Sequence, residues 1–445
     1  MKKVLILTYY YKHKNAMASV RSVKLAKYLT LQGCVVTVLT SNQRDTWTQN
    51  YLTPKPSPEI REIYAPQIGR WTKIRKYLDH RKKVGQAKLT AQANGGSGSI
   101  PKPGKMEKNV KQKLKSYLSW QFYFNLAKQE DICMFIGLKE EYKRKGCPKF
   151  DTVIATYPTY GAFLMGIWLK KHGYCGQLIA DFRDPLYNPG FRNRKQEADF
   201  DKKCLRNILN TADQLVCVSK GIADGILREF PEFTKPVHVI TNGFDPDDVE
   251  EANIPVEMDR EKVHFVYTGA LYHGKRCVDM LAGVLRNLIE EGEICADDFS
   301  FEYAGADYPE LLNQLGEYGL EKTAVDHGFV SREESIALQK HADALLLLTW
   351  NEKKYQGVVP GKLFEYMSIG TVPILALVTG DVENSEVAQM ITQAQAGFAC
   401  EAAVPEQIIE LKDYVRKLFD RELHFESKVE RYSYKTISEQ YAKLV

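Results

Sequence analysis

Residues 359–375, VPGKLFEYMSIGTVPIL, combine the signals of a short helix with those of a buried strand behind it. Pro360 suits the first helical turn, and Gly370, with a proline three residues later, ends the helix. The free amides and the dipole at the start of such a helix attract anions, and Lys362 and Glu365 share one side of it. The stretch predicts either a site for a phosphate-bearing ligand with a diol or a solvated Lys/Glu pair on a surface helix.

Strand-like and helix-like segments alternate along most of the chain. Residues 4–8 form an apolar run typical of a strand buried on both faces of a parallel sheet, and a helical pattern follows that ends at Gly33. The same alternation returns from Asp151 and again from Val263. Because 445 residues are many for one core, we predict two doubly wound α/β domains. Their ligands should bind beyond the carboxyl ends of the strands.

Residues 51–149 depart from this alternation and predict a basic helical insertion in the first domain. Within it, residues 93–105 are rich in small residues and proline, so we predict a flexible segment; its GGSGS run also matches an engineered linker. The predicted first domain covers residues 1–245 and the second covers residues 246–425. A helical pattern closes the chain at residues 426–445.

Positive charge is concentrated in one part of the chain. Residues 70–149 contain 20 Lys/Arg against 6 Asp/Glu, whereas the formal charge of the whole chain is +5. An apolar stripe over 110–118 is surrounded by lysines and runs into aromatic residues at 120–124. This composition predicts an interfacial helix on an anionic membrane surface, or a lysine-rich helix that packs its aromatics into the first domain. Nucleic acid is not an expected partner, because no nucleic-acid-binding fold is recognisable.

The cysteines and histidines give no sign of a cofactor. Nine cysteines are scattered without C-x-x-C spacing, and the nine histidines form no H-E-x-x-H motif or Cys/His cluster. We therefore expect reduced thiols, no metal and no other cofactor. The short apolar run at the N-terminus is interpreted as a strand and not as a signal peptide, and no uncharged run is long enough to span a bilayer. We predict a cytoplasmic protein, peripheral on the inner face of the cell membrane if the basic segment docks there.

The string GKLFEYMSIGTVPILA at 361–376 resembles the K-L-F-E-Y-x-x-x-G-x-P signature of the retaining glycosyltransferases of family 4. That family has the GT-B fold, so the resemblance implies two Rossmann-like domains facing across a cleft, with the terminal helix crossing back to the first. It also implies that Glu365 binds the ribose hydroxyls of a nucleotide-sugar donor. Many members carry another glutamate eight residues earlier, where this chain has Gly357, so the resemblance does not identify the group that holds the donor on that side.

Further donor-binding residues are expected after the first strand of the second domain. That strand ends at Gly269, where a helix N-terminus can approach a pyrophosphate. The family usually shows an arginine just after this glycine, here Ala270, and a lysine five residues later, here Lys275 with Arg276 beside it. The segment 327–330 resembles the one beside the nucleotide base. The predicted donor-binding residues are Gly269, Lys275, Phe329, Lys362, Leu363 and Glu365.

The acceptor or sugar side is predicted to lie in the first domain. The string DFRDP follows a strand and resembles an R-D-x-W-type segment of some family members; alternatively, its Arg and Asp only hold the loop. The TNG at 241–243 resembles the N-G-x-D segment that lines the cleft, and the following DPDD is interpreted as an acidic linker and not as a metal motif. The predicted residues on this side are Arg21, Asp181, Arg183, Asn242 and Gly243.

The resemblance implies a retaining glycosyltransferase that transfers a sugar from a nucleoside-diphosphate sugar, with UDP the expected nucleotide. The expected acceptor is a hydroxyl group of an envelope polysaccharide or a lipid-linked glycan. The predicted catalytic residues are Lys275 and Arg276, which would stabilise the leaving diphosphate, and Asp184 at the facing loop. Two alternatives stay open: a GT-B nucleotide-sugar epimerase, and a noncatalytic relative that binds glycan or membrane.

Overall fold

The computed structural model describes residues 1–12, 17–42, 59–66, 110–187, 194–250, 254–272, 274–354, 357–423 and 425–445. The predicted flexible segment 93–105 lies outside the described residues, as does the part of the basic segment before residue 110.

The first domain contains a parallel sheet of seven strands. They are β1 (Lys3–Thr8), β2 (Val35–Asn42), β3 (Arg61–Pro66), β4 (Phe150–Tyr157), β5 (Cys175–Phe182), β6 (Gln214–Cys217) and β7 (Val237–Val239). Their spatial order is β3-β2-β1-β4-β5-β6-β7, so the sequence of strands changes direction between β1 and β4. The helices around this sheet are α1 (Met17–Leu31), α2 (Val110–Arg144), α3 (Tyr160–Lys171), α4 (Lys195–Thr211) and α5 (Lys220–Glu229).

The second domain repeats the design with six parallel strands. They are β8 (Val263–Thr268), β9 (Phe299–Ala304), β10 (Ala324–Gly328), β11 (Ala344–Trp350), β12 (Ile374–Thr379) and β13 (Gly397–Glu401), in the spatial order β10-β9-β8-β11-β12-β13. A short helix, α6 (Asp247–Glu250), precedes this sheet. The other helices of this domain are α7 (Asp279–Glu290), α8 (Tyr308–Gly316), α9 (Arg332–Lys340), α10 (Gly361–Ile369), α11 (Glu386–Ala394) and α12 (Gln407–Phe419), and α13 (Tyr434–Ala442) follows them at the end of the chain. The prediction of two doubly wound α/β domains is confirmed.

The predicted insertion at 51–149 is wrong where it includes β3. This strand pairs in parallel with β2 from Arg61 to Pro66 and extends the first sheet. Helix α2 also contributes to the core, because Leu138 and Tyr142 are buried in the same cluster as Val153 of β4. Prolines at positions 54, 56 and 58 precede β3 and obscure the strand in the sequence.

Two segments of the chain pass between the domains, and they lie next to each other. Phe244 pairs with Ser433 in an isolated parallel bridge, and its amide donates to the carbonyl of Tyr432 over 3.1 Å. Helix α13 then packs against α1 of the first domain. The boundaries at 245 and 425 stay predictions. Among the described residues, no helix combines the length and the apolar character needed to cross a bilayer.

Candidate functional site

The candidate site lies where β8 and β11, neighbours in the second sheet, end. The order of strands reverses between them, and in open α/β sheets ligands bind beyond the carboxyl ends of the strands at such a point. Helix α10 begins beside this edge. Pro360 is its N-cap, with an extended ψ of 138°, and so precedes the first turn in which it was predicted. Gly370 ends the helix as predicted, in a left-handed conformation (φ 70°) that glycine adopts readily.

Glu365 on α10 is the centre of a polar network. Its Oε1 accepts hydrogen bonds from Nζ of Lys362 over 2.9 Å and from Nε2 of Gln339 over 2.7 Å. Both donors also reach Oγ1 of Thr268, the last residue of β8, over 3.0 Å. Within the described part of the chain, no hydrogen bond reaches Oε2 of Glu365. The solvated Lys/Glu pair is therefore the wrong alternative, because Glu365 is only 8% exposed.

Glu365 is ionised in this network. Burial alone would raise the pKa of its carboxyl group, but the charges of Lys362 and Arg332 and the hydrogen bonds from Lys362 and Gln339 lower that pKa to about 2. Arg332 lies at the start of α9, and its guanidinium is 3.8 Å from the carboxylate of Asp248 near the interdomain connection. The result is a buried carboxylate with one oxygen available to accept further hydrogen bonds.

The predicted cations lie beyond the end of β8, beside aromatic rings. The Nζ of Lys275 is 5.3 Å from the ring centroid of Trp350, and the Cζ of Arg276 is 4.4 Å from that of Tyr272. The guanidinium of Arg276 also donates to the carbonyl of Ala270 over 3.1 Å. The main chain of Gly269 lies next to them and donates to Ala304 in the neighbouring strand. The structure thus places the predicted diphosphate-binding residues at one edge of the sheet.

The segment after β10 carries Phe329 at the surface, with 84% of its side chain exposed. His327, near the end of β10, contacts the carboxylate of Glu302 over 2.6 Å. The same carboxylate accepts a hydrogen bond from Ser300 and lies 3.1 Å from Nδ1 of His264. Burial would raise the pKa of Glu302, but these hydrogen bonds lower it to about 2. Burial would likewise lower the pKa of His264, but its hydrogen bonds to Glu302 and to the main chain of Asp259 raise it. This cluster fixes the segment that presents Phe329.

Gly357 lies where the resemblance to family 4 would place a second glutamate, and its surroundings exclude a side chain. Its φ is 78°, and a Cβ built there would lie 2.8 Å from Cα of Gly221 and from Oγ of Ser219 in the first domain. Leu363 is fully buried, so its side chain serves the core of the second domain. The chain passes too close to α5 at residue 357 to carry a carboxylate.

Arg21 and Asp181 meet at the carboxyl end of the first sheet, but they are buried and paired. Their charged groups are 2.9 Å apart, and both also bond to the hydroxyl of Tyr441 on α13. The guanidinium further donates to the carbonyls of Ile240 and Thr241, and over 3.4 Å to Oδ1 of Asn242. These groups join α1, β5, the interdomain connection and the terminal helix. Their contact with an acceptor stays a prediction.

The DFRDP loop reaches the surface at Asp184. Arg183 is buried and its Nε donates to the carbonyl of Tyr157, whereas Asp184 is exposed. The protein around Asp184 raises the pKa of its carboxyl group by desolvation, and the charge of Arg183 opposes that rise. Gly243 packs against the terminal segment, where a Cβ would lie 2.3 Å from the carbonyl oxygen of Tyr432. Asp184 is therefore the predicted residue of this loop whose carboxylate is accessible.

Sequence reasoning missed Gln339, Thr268 and Trp350. Thr268 and Trp350 are the last residues of β8 and β11, and their positions at strand ends were a usable signal. Gln339 lies seven residues after the first residue of α9, and its sequence context gives no indication that it meets Glu365. A further unpredicted contact joins the domains: the carboxylate of Glu386 accepts from the amides of Lys220 and Gly221, each over 2.7 Å.

The DPDD segment also has a defined place. Asp245 accepts from Lys24 over 2.7 Å and from Lys27 over 2.8 Å, and Tyr28 donates to it over 2.9 Å. Asp247 pairs with Lys27 as well. Side chains of α1 thus neutralise the acidic segment and anchor the interdomain connection to the first domain.

Comparison with known proteins shows the fold. No protein-family model matches the sequence, and the comparison with curated proteins gives no match. The chain is similar over 100% of its length to sucrose-phosphate synthase (tll1590) from Thermosynechococcus elongatus, covering 98% of that chain with 13% identity and a TM-score of 0.58. It is similar to the lipopolysaccharide outer core galactosyltransferase WaaB, with 15% identity, 99% of each chain covered and a TM-score of 0.53.

A third similar structure is an E. coli protein described as "Trehalose-6-phosphate from E. coli bound with UDP-2-fluoro glucose", at 10% identity and a TM-score of 0.58. The similarity covers 99% of this chain and 98% of that one. The two Rossmann-like domains of the present chain therefore have the GT-B arrangement. At these identities the comparisons establish architecture, and the activity has to be argued from the site.

Proposed function

We propose that this protein is a retaining glycosyltransferase. It transfers a sugar from a nucleoside-diphosphate sugar, with UDP the favoured nucleotide, to a hydroxyl of an envelope polysaccharide or lipid-linked glycan. The observation that carries this proposal is the carboxylate of Glu365, ionised and buried at the switch point of the second sheet, with Oε2 unbonded among the described residues. One such oxygen is suited to accept hydrogen bonds from the vicinal hydroxyls of a ribose.

The donor then lies along the carboxyl edge of the second sheet. Glu365 holds the ribose and is itself oriented by Lys362 and Gln339. The exposed ring of Phe329 is available to the nucleotide base, and the diphosphate extends toward Gly269, Lys275 and Arg276. The bound UDP-2-fluoro glucose of the similar E. coli protein supports a UDP-sugar as the donor.

The reaction needs a way to stabilise the leaving diphosphate. Lys275 and Arg276 carry the positive charge that offsets the negative charge growing on that group as the glycosidic bond breaks. In a front-face displacement the departing phosphate accepts the proton of the acceptor hydroxyl, so no protein nucleophile is required. Retention of configuration follows, because attack and departure occur on the same face of the sugar.

The acceptor approaches from the first domain. Asp184 is exposed at the end of β5, and the main chain of Arg183 lies beside it. The side chains behind this loop have a structural role. They hold β5 to the interdomain connection and to α13 through Arg21, Asp181 and Asn242. We assign Asp184 to contact with the acceptor or the transferred sugar.

We also propose that the basic segment 70–149 docks on an anionic membrane, where a lipid-linked acceptor would be presented. Leu118, Phe122, Ile132 and Ile136 of α2 are exposed, and their separations of 4, 14 and 18 residues correspond to about one, four and five helical turns. They therefore share one face of the helix. The excess of Lys/Arg in this segment complements an anionic lipid surface.

Incubation with radiolabelled UDP-sugars and a membrane lipid extract tests the activity. Transfer predicts label in the lipid or polymer fraction with the anomeric configuration of the donor. A new free nucleotide-sugar formed without acceptor would identify an epimerase instead, and binding without turnover would identify a noncatalytic relative. The absence of any nucleotide-sugar binding would refute the donor site as well.

Liposome flotation tests the membrane surface. Binding should require anionic lipid, weaken as salt rises, and fall when Leu118 and Phe122 are both replaced by serine. Ile409→Ser is the matched control, because Ile409 is an exposed apolar residue on α12 of the second domain. Binding that is indifferent to lipid charge, or that survives the double substitution, would contradict membrane docking.

A further inference from the structure

Both predicted diphosphate-binding cations lie against one indole ring. The centroid of Trp350 is 5.3 Å from Nζ of Lys275 and 5.8 Å from Cζ of Arg276. Tyr272 is the second aromatic neighbour of Arg276, and its ring is 6.3 Å from that of Trp350 in an edge-on arrangement. Trp350 ends β11, whereas the two cations follow β8, so the contact joins the ends of two neighbouring strands.

Such a contact solves two problems of a diphosphate site. Long cationic side chains lose conformational freedom when they bind, so a surface that already holds them reduces the cost of ordering them. Two adjacent positive charges also repel each other, and the negative face of an aromatic ring attracts both. The guanidinium of Arg276 receives additional fixation from the hydroxyl of Tyr267, 3.3 Å away, and from the carbonyl of Ala270.

The indole N–H of Trp350 is not used to hold the fold. It is buried, and no hydrogen-bond acceptor for it exists among the residues that the structure describes. Replacing Trp350 by phenylalanine therefore breaks no hydrogen bond seen in the structure while it keeps an aromatic face beside the cations. Replacement by leucine removes that face but leaves an apolar side chain at the end of β11.

We propose that Trp350 is a positioning residue, which holds Lys275 and Arg276 where the leaving diphosphate binds. This inference rests on the proposed function and deepens it, because it names the residue that prepares the cationic pair. It also accounts for a departure from the pattern of the family that the sequence resembles, in which an arginine usually stands where this chain has Ala270. Here Arg276 reaches the same edge of the second sheet from six residues further along the chain, between the rings of Tyr272 and Trp350.

The test compares Trp350→Phe and Trp350→Leu with the wild-type protein. Turnover of the UDP-sugar should fall about tenfold to hundredfold in the leucine variant, as expected when transition-state charge stabilisation is impaired, and should be largely retained in the phenylalanine variant. The KM for the acceptor should stay unchanged in both. Affinity for UDP should weaken in the leucine variant, whereas affinity for uridine, which has no phosphate, should not.

The uridine measurement separates positioning from general damage. A leucine variant with normal turnover and normal UDP affinity would overturn the inference, as would equal loss of uridine and UDP binding or a phenylalanine variant as impaired as the leucine variant. A wild-type protein that binds no uridine nucleotide would instead overturn the proposed function together with this inference. Circular dichroism of each variant confirms that it is folded.

Discussion

Replacement of Glu365 by glutamine tests the centre of the donor site. The substitution keeps the size of the side chain but removes the charge that pairs with Lys362 and one acceptor oxygen. In the folded protein the pKa of Glu365 is about 2 against an ordinary value of 4.5. At 1.36 kcal/mol per pKa unit, this difference favours the ionised form by about 3 kcal/mol.

The expected loss of stability is smaller than that figure. Removing one partner of a buried ion pair is most costly when the other charge stays buried, but the side chain of Lys362 is 27% exposed and can reach water. A glutamine is also less costly to bury than a carboxylate. We therefore expect Glu365→Gln to lower the unfolding free energy at pH 7 by about 2 kcal/mol. Loss of a charge-assisted hydrogen bond to ribose should weaken UDP binding by a similar energy, or about 30-fold.

Urea unfolding and titration calorimetry with UDP measure the two effects. Because the folded pKa of Glu365 is depressed, its contribution to stability is present above pH 4.5 and is lost as the pH falls toward 2. The stability difference between the wild-type protein and the variant should therefore shrink over that range.

Glu141→Gln is the matched control for this substitution. Glu141 is a largely buried carboxylate on α2 that pairs with Arg144 over 2.6 Å in the first domain. Its replacement should leave UDP affinity unchanged. Unchanged UDP affinity in Glu365→Gln would refute the ribose assignment, and a stability difference that is independent of pH would refute the account of its charge.

Three further substitutions probe the frame around the site. Gly357→Ala should lower the unfolding free energy, measured by urea unfolding, by more than the about 1–2 kcal/mol of a side chain at a positive φ, because the added Cβ also lies 2.8 Å from Cα of Gly221. Gly316→Ala is the control and should leave stability unchanged, because no atom lies within 4 Å of its added Cβ. Asp181→Asn should cost about 3–5 kcal/mol in the same measurement, since it leaves the charge of Arg21 buried without its carboxylate; a cost below 1 kcal/mol would contradict the buried pair. The pKa of His264 is raised, so its ionic contribution to stability is complete below pH 6.5 and lost as the pH rises through the raised value. The difference in unfolding free energy between wild type and His264→Gln should accordingly be larger at pH 6 than at pH 9.

Local features of the sequence predicted most of the second domain. The alternation of strand-like and helix-like segments that begins at Val263 is present in the structure. The S-x-x-E spacing of Ser331 and Glu334 is the local pattern of a capping box, which the two residues form at the start of α9. The sequence also predicted that α10 ends at Gly370, because the left-handed conformation that ends a helix is local to one residue and favours glycine. By contrast, β3 was missed: its residues pair with residues of β2 that lie 24 positions earlier (Thr37 with Arg61), and the six residues of the strand alternate weakly in polarity.

The sequence by itself determined the succession of strands and helices and the chemistry available at α10, since these depend on residues within a few positions of one another. Only the tertiary structure decided which charges face a ligand. It paired Arg21 with Asp181, 160 residues further along the chain, and it brought Gln339 to Glu365 and Thr268 to Lys362. It also showed that residue 357 must be glycine beside α5. Such contacts depend on which distant segments become neighbours, and apolar periodicity shows which face of an element packs but not its partner.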